Sequence, residues 1–437
     1  MLECKSLSFQ DNFFRKMVEA RKGENIMISP LSLYQALSLL CNGASGETQK
    51  EILNVLYPDK NKDIEAINNN IKELLSTLES ENSKDSGQSP YCLSEEEDCQ
   101  IHFNDVNAIF KKKEIELTDQ FQQICHNYNT SFSDLINAEQ INNFCSEQTN
   151  GKINKIIEYL NPMTVLILIN AIYFKGTWVD KFNEKATVIK KFINYNKTVV
   201  KTHTMHQEYS SQLYYEDKDV QIISLPYIHK TLDFSMIIIL PNIKKYASPL
   251  EYLNEQKKSL NEIVSKLESK PNVHLYLPRF KYKFEEQLND ILTNLGMKSA
   301  FSESLANFEN LCKNSKTYVG KIFQSTYIDV NENGTEAAAV TVVDMTGAYL
   351  HEEEYFMNVN HSFIYMIKSN KIKDADNQNL MPFIGVVNYL EGVNGTNQTN
   401  DDDNGKDDPR RIYPHNNEYI LKMNILSFVG LLFLILS

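Results

Sequence analysis

The 437-residue chain has no CxxC pair, no His-Glu-x-x-His, no Gly-x-Ser-x-Gly elbow and no Gly-x-x-x-x-Gly-Lys-Ser/Thr loop. These absences argue in turn against a cysteine-based zinc site, a zinc protease, an α/β-hydrolase and a phosphate-cradling nucleotidase. Basic residues are also in deficit. Lys plus Arg number 44 against 57 Asp plus Glu, a net charge of −13. Phosphate binding needs the opposite balance, so nucleic acid is not expected as a partner. Two histidines in "HTMH", His203 and His206, have i, i+3 spacing. They sit in a strand-like setting and no third ligand is assigned to them, so they read as structural and no metal or other cofactor is assigned. Serines abound, but none is tied to a base. No catalytic residue is assigned, and an enzyme is disfavoured.

Cysteine usage is sparse and odd in number: Cys4, Cys41, Cys92, Cys99, Cys125, Cys145 and Cys312. That is not a complete disulfide framework. Cys92 and Cys99 flank an acidic loop and pair only if the compartment is oxidising; free thiols are the simpler reading. The first residues lack the apolar core and small-residue cleavage site of a signal peptide.

What is present is material for a large core, with 42% hydrophobic residues. "SPLSLYQALSLLCNG" predicts a buried helix, with Ser29 as cap, Pro30 in the first turn and Gly43 at the end. "DIEAINNNIKELLSTLES" carries Ile64, Ile67, Ile71, Leu74 and Leu75 at helical spacing. Residues 81–99 read as a polar surface insertion. Near-continuous apolar runs at Thr164–Phe174, Leu232–Leu240 and Val273–Leu277 predict strands covered on both faces. Two more strands follow at Phe363–Ile367 and Met381–Val387. Asn170 lies inside the first of these runs and must find a partner there. The globular part is expected to stop near Leu390, followed by a polar tether over 391–418 and an apolar tail over 419–437. The thirteen residues from Ile425, mostly apolar, rise about 20 Å as a helix, short of a ~30 Å hydrocarbon core. A GPI-attachment signal, a tail anchor and accidental hydrophobicity all remain open. Six Asn-x-Ser/Thr sequons occur, at Asn129, Asn196, Asn333, Asn360, Asn394 and Asn397.

Several stretches together resemble the serpin family over roughly residues 8–390. They are "NIMISPLSLYQALSLLCNGASGET", "QTNGKI", "LINAIYFKGTW", "LPYIHKTLDFSMIIILPN", "LPRFKYKFEEQLNDILTNLGMKSAF", "VNENGTEAAAVT", "NVNHSFIYMI" and "MPFIGVV". The N-terminus resembles the ovalbumin-like branch. The resemblance implies an α+β fold of three β-sheets with eight or nine helices. Residues 331–356 correspond to a hinge and an exposed reactive centre loop. A target serine protease cleaves the loop and forms a covalent complex, and the loop then inserts into the main sheet. The alternative is a non-inhibitory member: a carrier, chaperone or storage protein.

The hinge residues implied are Glu332, Gly334, Thr335, Glu336, Ala337, Ala338, Ala339 and Thr341. Ser29, Ser32, Asn170 and Gln324 form the shutter, and Trp178 marks the breach at the top of the sheet. Gln324 stands where the family usually has histidine, and a glutamine is expected to bond Asn170, Ser29 and Ser32. A strand entering a closed sheet places alternate side chains inward. Counted from Thr335, the inward set is Thr335, Ala337, Ala339, Thr341, Val343, Met345 and Gly347, all small or uncharged, while Glu336 and Asp344 fall on the other parity. A seventeen-residue span from Glu332 puts the reactive bond at Ala348–Tyr349, with Leu350 as an alternative. Alanine suits an elastase-like pocket, whereas Tyr349 or Leu350 suits a chymotrypsin-like one. A heparin-type cofactor is not supported, because the helix over 63–80 carries only Lys72. Asn129, Asn196, Asn394 and Asn397 are the glycosylation candidates. The expected location is the cell surface or extracellular space, membrane-anchored by the tail, with the cytoplasm as alternative.

Overall fold

In the computed structural model, residues 7–58, 62–82, 101–161, 164–229, 232–313, 317–335 and 353–393 are described. Most of the insertion (83–99), the loop 336–352, and the tether and tail from 394 onward lie outside them, as do Cys4, Cys92 and Cys99.

The N-terminal third is mainly helical: α1 (Phe9–Ala20), β1 (Ile26–Ile28), α2 (Pro30–Gly43), α3 (Gly46–Leu56), α4 (Ile64–Asn82), β2 (His102–Lys111), α5 (Asp119–Asn127), β3 (Thr130–Asp134) and α6 (Ala138–Gln148). Strands dominate next: β4 (Leu166–Thr177), β5 (Val188–Ile193), β6 (Val199–Glu216), β7 (Val220–Pro226) and β8 (Ser235–Pro241). Then come α7 (Pro249–Gln256), α8 (Leu260–Val264), β9 (Glu268–Pro278), β10 (Phe280–Gln287), α9 (Asn289–Leu295), β11 (Lys321–Asn331), β12 (Gly334–Thr335), β13 (Tyr355–Asn358), β14 (Phe363–Lys368) and β15 (Phe383–Val387).

Helix α2 is buried along its whole length. Ser29 caps it as expected, its hydroxyl accepting from the Ser32 N–H at 3.2 Å, and Pro30 opens the first turn. Gly43 ends the helix for a different reason from the one expected. A Cβ there would come within 2.9 Å of Leu311 and 3.0 Å of Phe121, so close packing, not a left-handed turn, requires glycine.

Two sheets carry the strands. The first runs β10-β11-β12-β4-β2-β3. The second runs β1-β15-β14-β8-β7-β6-β9-β13, with β5 on β6. The long β6 is shared by two wings: Thr204–Tyr214 pairs with β9, while Tyr214–Glu216 pairs with β7. The three expected sheets are therefore a six-stranded sheet and two wings joined through one continuous strand. Nine α-helices occur among the described residues. The runs predicted as strands are β4, β8, β9, β14 and β15, but over Val273–Leu277 β9 buries only alternate residues, because its other face carries the half-buried His274 and Tyr276. β4 continues to Thr177, past the expected end at Phe174, with nearly every residue buried.

Most of the core lies under the second sheet and around α1 and α2. A smaller apolar layer lies under α6, where Ile141, Cys145, Ile153 and Ile157 cover Ile167, Ile169 and Phe323 of β4 and β11. The described cysteines, Cys41, Cys125, Cys145 and Cys312, are all buried and none is in a disulfide.

Candidate functional site

Strands β4 and β11 set the geometry. They pair in parallel from Ile167–Tyr173 to Lys321–Tyr327, with Asn170 opposite Gln324. Beyond Tyr173 and Tyr327 they part. The gap holds β12, two residues long: Thr335 pairs with Val330 and Gly176, and Gly334 pairs with Asn331 and Thr177. The main sheet is thus closed below and forked at its top. Glu332 and Asn333 form the turn that leads into β12.

Gly334 has φ +153°, and a Cβ on it would overlap the Gly176 carbonyl oxygen and lie 2.8 Å from the Thr177 Cα. Only glycine fits there. Thr335 is buried, and its hydroxyl is 2.8 Å from the Tyr227 hydroxyl. The single tryptophan, Trp178, closes the fork. Its indole N–H donates to the Asn331 carbonyl at 3.0 Å, its main-chain N–H donates to the Asn333 carbonyl at 3.0 Å, and its ring stacks on Tyr227 at 4.4 Å. Position 178, expected at the breach, therefore bonds the turn on both sides, at Asn331 and Asn333.

Glu332 is buried at the turn. One carboxylate oxygen accepts from Arg279 Nε at 2.8 Å and Nη2 at 2.6 Å, and also from the Thr187 hydroxyl. Burial pushes this carboxyl up, but the Arg279 and Thr187 hydrogen bonds outweigh it and hold the group below its ordinary value. The glutamate is thus a charged anchor for the turn.

Lower in the sheet the four residues expected to form the shutter do meet, with a different wiring. Gln324 does not bond the Asn170 side chain. Its Oε1 accepts from the Ser29 N–H at 2.8 Å, and its Nε2 donates to the Ser29 carbonyl at 3.0 Å. The glutamine is long enough to bond both main-chain groups of the helix-capping residue. Asn170 turns the other way and donates to Asn107 on β2, leaving its Oδ1 without a partner. Asn107 in turn donates to Gln35 at 3.2 Å. Ser32 donates to Asp105 at 2.6 Å.

Asp105, Asn107, Gln35, Arg279, Thr187 and Tyr227 are site residues that the sequence reading missed. The available signal was the alternation in "NDVNA", where Asp105 and Asn107 share one face of β2. Asp105 as a residue is only partly buried, yet its Oδ2 is sealed from solvent with no hydrogen-bond partner. Burial pushes its carboxyl up to about 6, although the Ser32 and Asn107 hydrogen bonds pull the other way.

Glu336, Ala337, Ala338, Ala339, Thr341, Ala348, Tyr349 and Leu350 lie outside the described residues, as do Asn394 and Asn397. Asn129 and Asn196 are exposed. Asn129 donates to Glu79 at 2.9 Å, and Asn196 accepts from the Thr198 hydroxyl at 2.6 Å. His203 and His206 do not form a pair: the sheet brings His206 beside Glu208 and His274 instead. Among the described residues, no helix is long and apolar enough to cross a membrane.

Comparison with known proteins agrees with this geometry. The family model described as serpin (serine protease inhibitor) matches residues 5–388. A leukocyte elastase inhibitor of Xenopus tropicalis is 31% identical over 385 residues, covering 85% of this chain and 95% of its own. Human serpin B8 is 29% identical over 377 residues, covering 83% and 94%. Among solved structures, the thermophilic serpin Tengpin in its native state superposes with a TM-score of 0.73 at 28% identity, covering 88% of this chain and 92% of that one.

Proposed function

The chain belongs to the serpin family, and on that premise we propose that it inhibits a serine protease by serving as its suicide substrate. The protease serine Oγ attacks the carbonyl carbon of Ala348. The bond to Tyr349 breaks, its nitrogen leaves as an amine with a proton from the protease's own base, and an acyl ester remains. The segment after Thr335 then continues β12 downward between β4 and β11, carrying the protease with it. The observation that supports this reading best is the fork, with its first two hinge residues seated between two strands that are otherwise paired with each other. The alternation of small inward residues from Thr335 onward supports it independently. The elastase inhibitor named among the relatives and the alanine at 348 favour an elastase-like target.

Incubation with elastase, chymotrypsin and trypsin, followed by denaturing gels and mass spectrometry of the released peptide, tests the reading. A covalent complex and a peptide beginning at Tyr349 are expected. Cleavage without a complex, and without a large rise in thermal stability, overturns it. For the apolar tail over 419–437 we propose membrane attachment, with a lipid anchor favoured; phospholipase should release the protein from cells, and retention until detergent is added refutes the lipid anchor.

A further inference from the structure

We infer that His206, Glu208 and His274 form a binding site for a transition-metal ion, Zn2+ by preference, on the outer face of the wing built from β5, β6, β9 and β13. The strand register assembles it. His206 and Glu208 are two apart on β6 and so share a face, and Glu208 pairs directly across to His274 on β9. His203, odd in parity to His206, points to the other side, which is why the "HTMH" pair is not the site.

The distances approach those of a coordination sphere. His274 Nδ1 lies 3.4 Å from Glu208 Oε1, and His206 Nε2 lies 3.9 Å from the same oxygen. All three ligand atoms fall within 4.8 Å of one another. A tetrahedral zinc with bonds of about 2.0–2.1 Å places its ligand atoms roughly 3.4 Å apart. One edge already has that length. The others close through small rotations of an exposed Glu208 side chain and two imidazoles.

The rings are held in place before any ion arrives. Tyr276, His206, His274 and Phe356 form a row of near-parallel rings. His206 stacks on Tyr276 at 4.3 Å, His206 and His274 lie 6.3 Å apart at 11°, and His274 stacks on Phe356 at 4.6 Å. Such packing fixes ligand orientation, as neighbouring side chains do at metal centres generally. His206 Nε2 is sealed from solvent and has no hydrogen-bond partner. A buried imidazole nitrogen without a partner is unfavourable unless something fills its lone pair, and a metal ion does so. An opposing charge is Lys190 on β5, whose Nζ sits 3.9 Å from the Tyr276 ring centroid. His206 covers one face of that ring, so the ammonium lies against the other, with the phenol between it and the ion.

Two imidazoles and a carboxylate select zinc, cobalt or copper over magnesium or calcium, which take all-oxygen sites. The fourth position is left to water. Bound there, the ion ties β6 to β9 beside Phe356 of β13.

The test uses the full-length protein, stripped with chelator and titrated with Zn2+ by calorimetry and thermal denaturation, with Co2+ as a visible-spectrum probe. One saturable site per chain, a raised Tm and tetrahedral cobalt bands are expected, unaffected by excess Mg2+. His206→Ala and His274→Ala should each weaken binding at least tenfold and remove the Tm rise; His203→Ala should change neither. Should a histidine variant fail to fold, Glu208→Gln, at an exposed position, still reads out as weaker binding. Absence of saturable binding, or binding that survives His206→Ala/His274→Ala together, overturns the assignment.

Discussion

Replacing Gly334 by alanine adds one methyl group at the tightest point of the fork. That Cβ would overlap the Gly176 carbonyl oxygen and lie 2.8 Å from the Thr177 Cα, well inside the ~3.5 Å of an ordinary carbon–carbon contact. Strand β4 cannot retreat easily. Thr177 accepts from the Ile228 N–H at 2.8 Å, and Trp178 is bonded on both its nitrogens. The methyl therefore expels Gly334 and Thr335. Leaving strands the Tyr227 hydroxyl, a buried group whose loss of partner costs about 1–3 kcal/mol, and breaks the β12 ladder at about 1 kcal/mol per bond. Freed backbone regains about 1–2 kcal/mol per residue, so the net loss is about 2 kcal/mol. Trp178 is the only tryptophan, so its fluorescence reports on the hinge without interference. We expect a shifted Trp178 emission, a Tm lower by a few degrees, and a larger share of protease turnover ending in cleaved inhibitor instead of covalent complex. Unchanged emission and an unchanged Tm would refute the idea that Gly334 is required by β4.

Asp105→Asn should stabilise the protein at neutral pH and do nothing near pH 4. The folded carboxyl holds its proton up to about 6 while the unfolded one releases it near 3.8, so stability falls as pH rises between those values, by up to about 3 kcal/mol. Urea midpoints of both proteins at pH 4 and pH 7.5 check this; subtraction cancels His361, which burial holds down to about 4 and which titrates in the opposite sense. An equal difference at both pH values would contradict it. Arg279→Leu leaves the buried Glu332 carboxylate with the Thr187 hydroxyl; since Arg279 is itself partly exposed, a loss of about 2 kcal/mol in thermal or urea unfolding is expected. Thr335→Arg places a charge in a buried slot beside Tyr227 and should convert inhibitor into substrate; retention of full complex formation on gels would argue against strand insertion.

The positions assigned to hinge and shutter come from the family resemblance, while two of them also stand out in local pattern: Ser29 before Pro30 and Asn170 in an apolar run. Their partners were less legible. Gln324 was expected to reach Asn170, its neighbour in register, but the choice among hydrogen-bond acceptors depends on side-chain length and on where α2 begins, and neither is a matter of pattern. Asp105 escaped because β2 comes after a long polar insertion and its alternation covers few residues. Arg279 and Glu332 are brought together by the antiparallel pairing of β10 with β11, across some thirty intervening residues. His206 and His274 become neighbours only through the register of β6 on β9, and a register shift of one residue would separate them.

Beyond its share of the sheet's stability, the two-residue strand would change the order of events if the sheet opens to admit the loop. Admitting a new strand between two paired ones is hardest at the first step, when old bonds must break before new ones form. Here that step is complete at rest. The seam is parted above the facing rings of Tyr173 and Tyr327, 6.4 Å apart, and Gly334 and Thr335 already occupy the opening. Under the inhibitory reading, the rest of the insertion is propagation: each residue that enters replaces one β4–β11 contact with two of its own. Under that reading the first step of insertion is made during folding, and the next residues to enter must part Tyr173 from Tyr327.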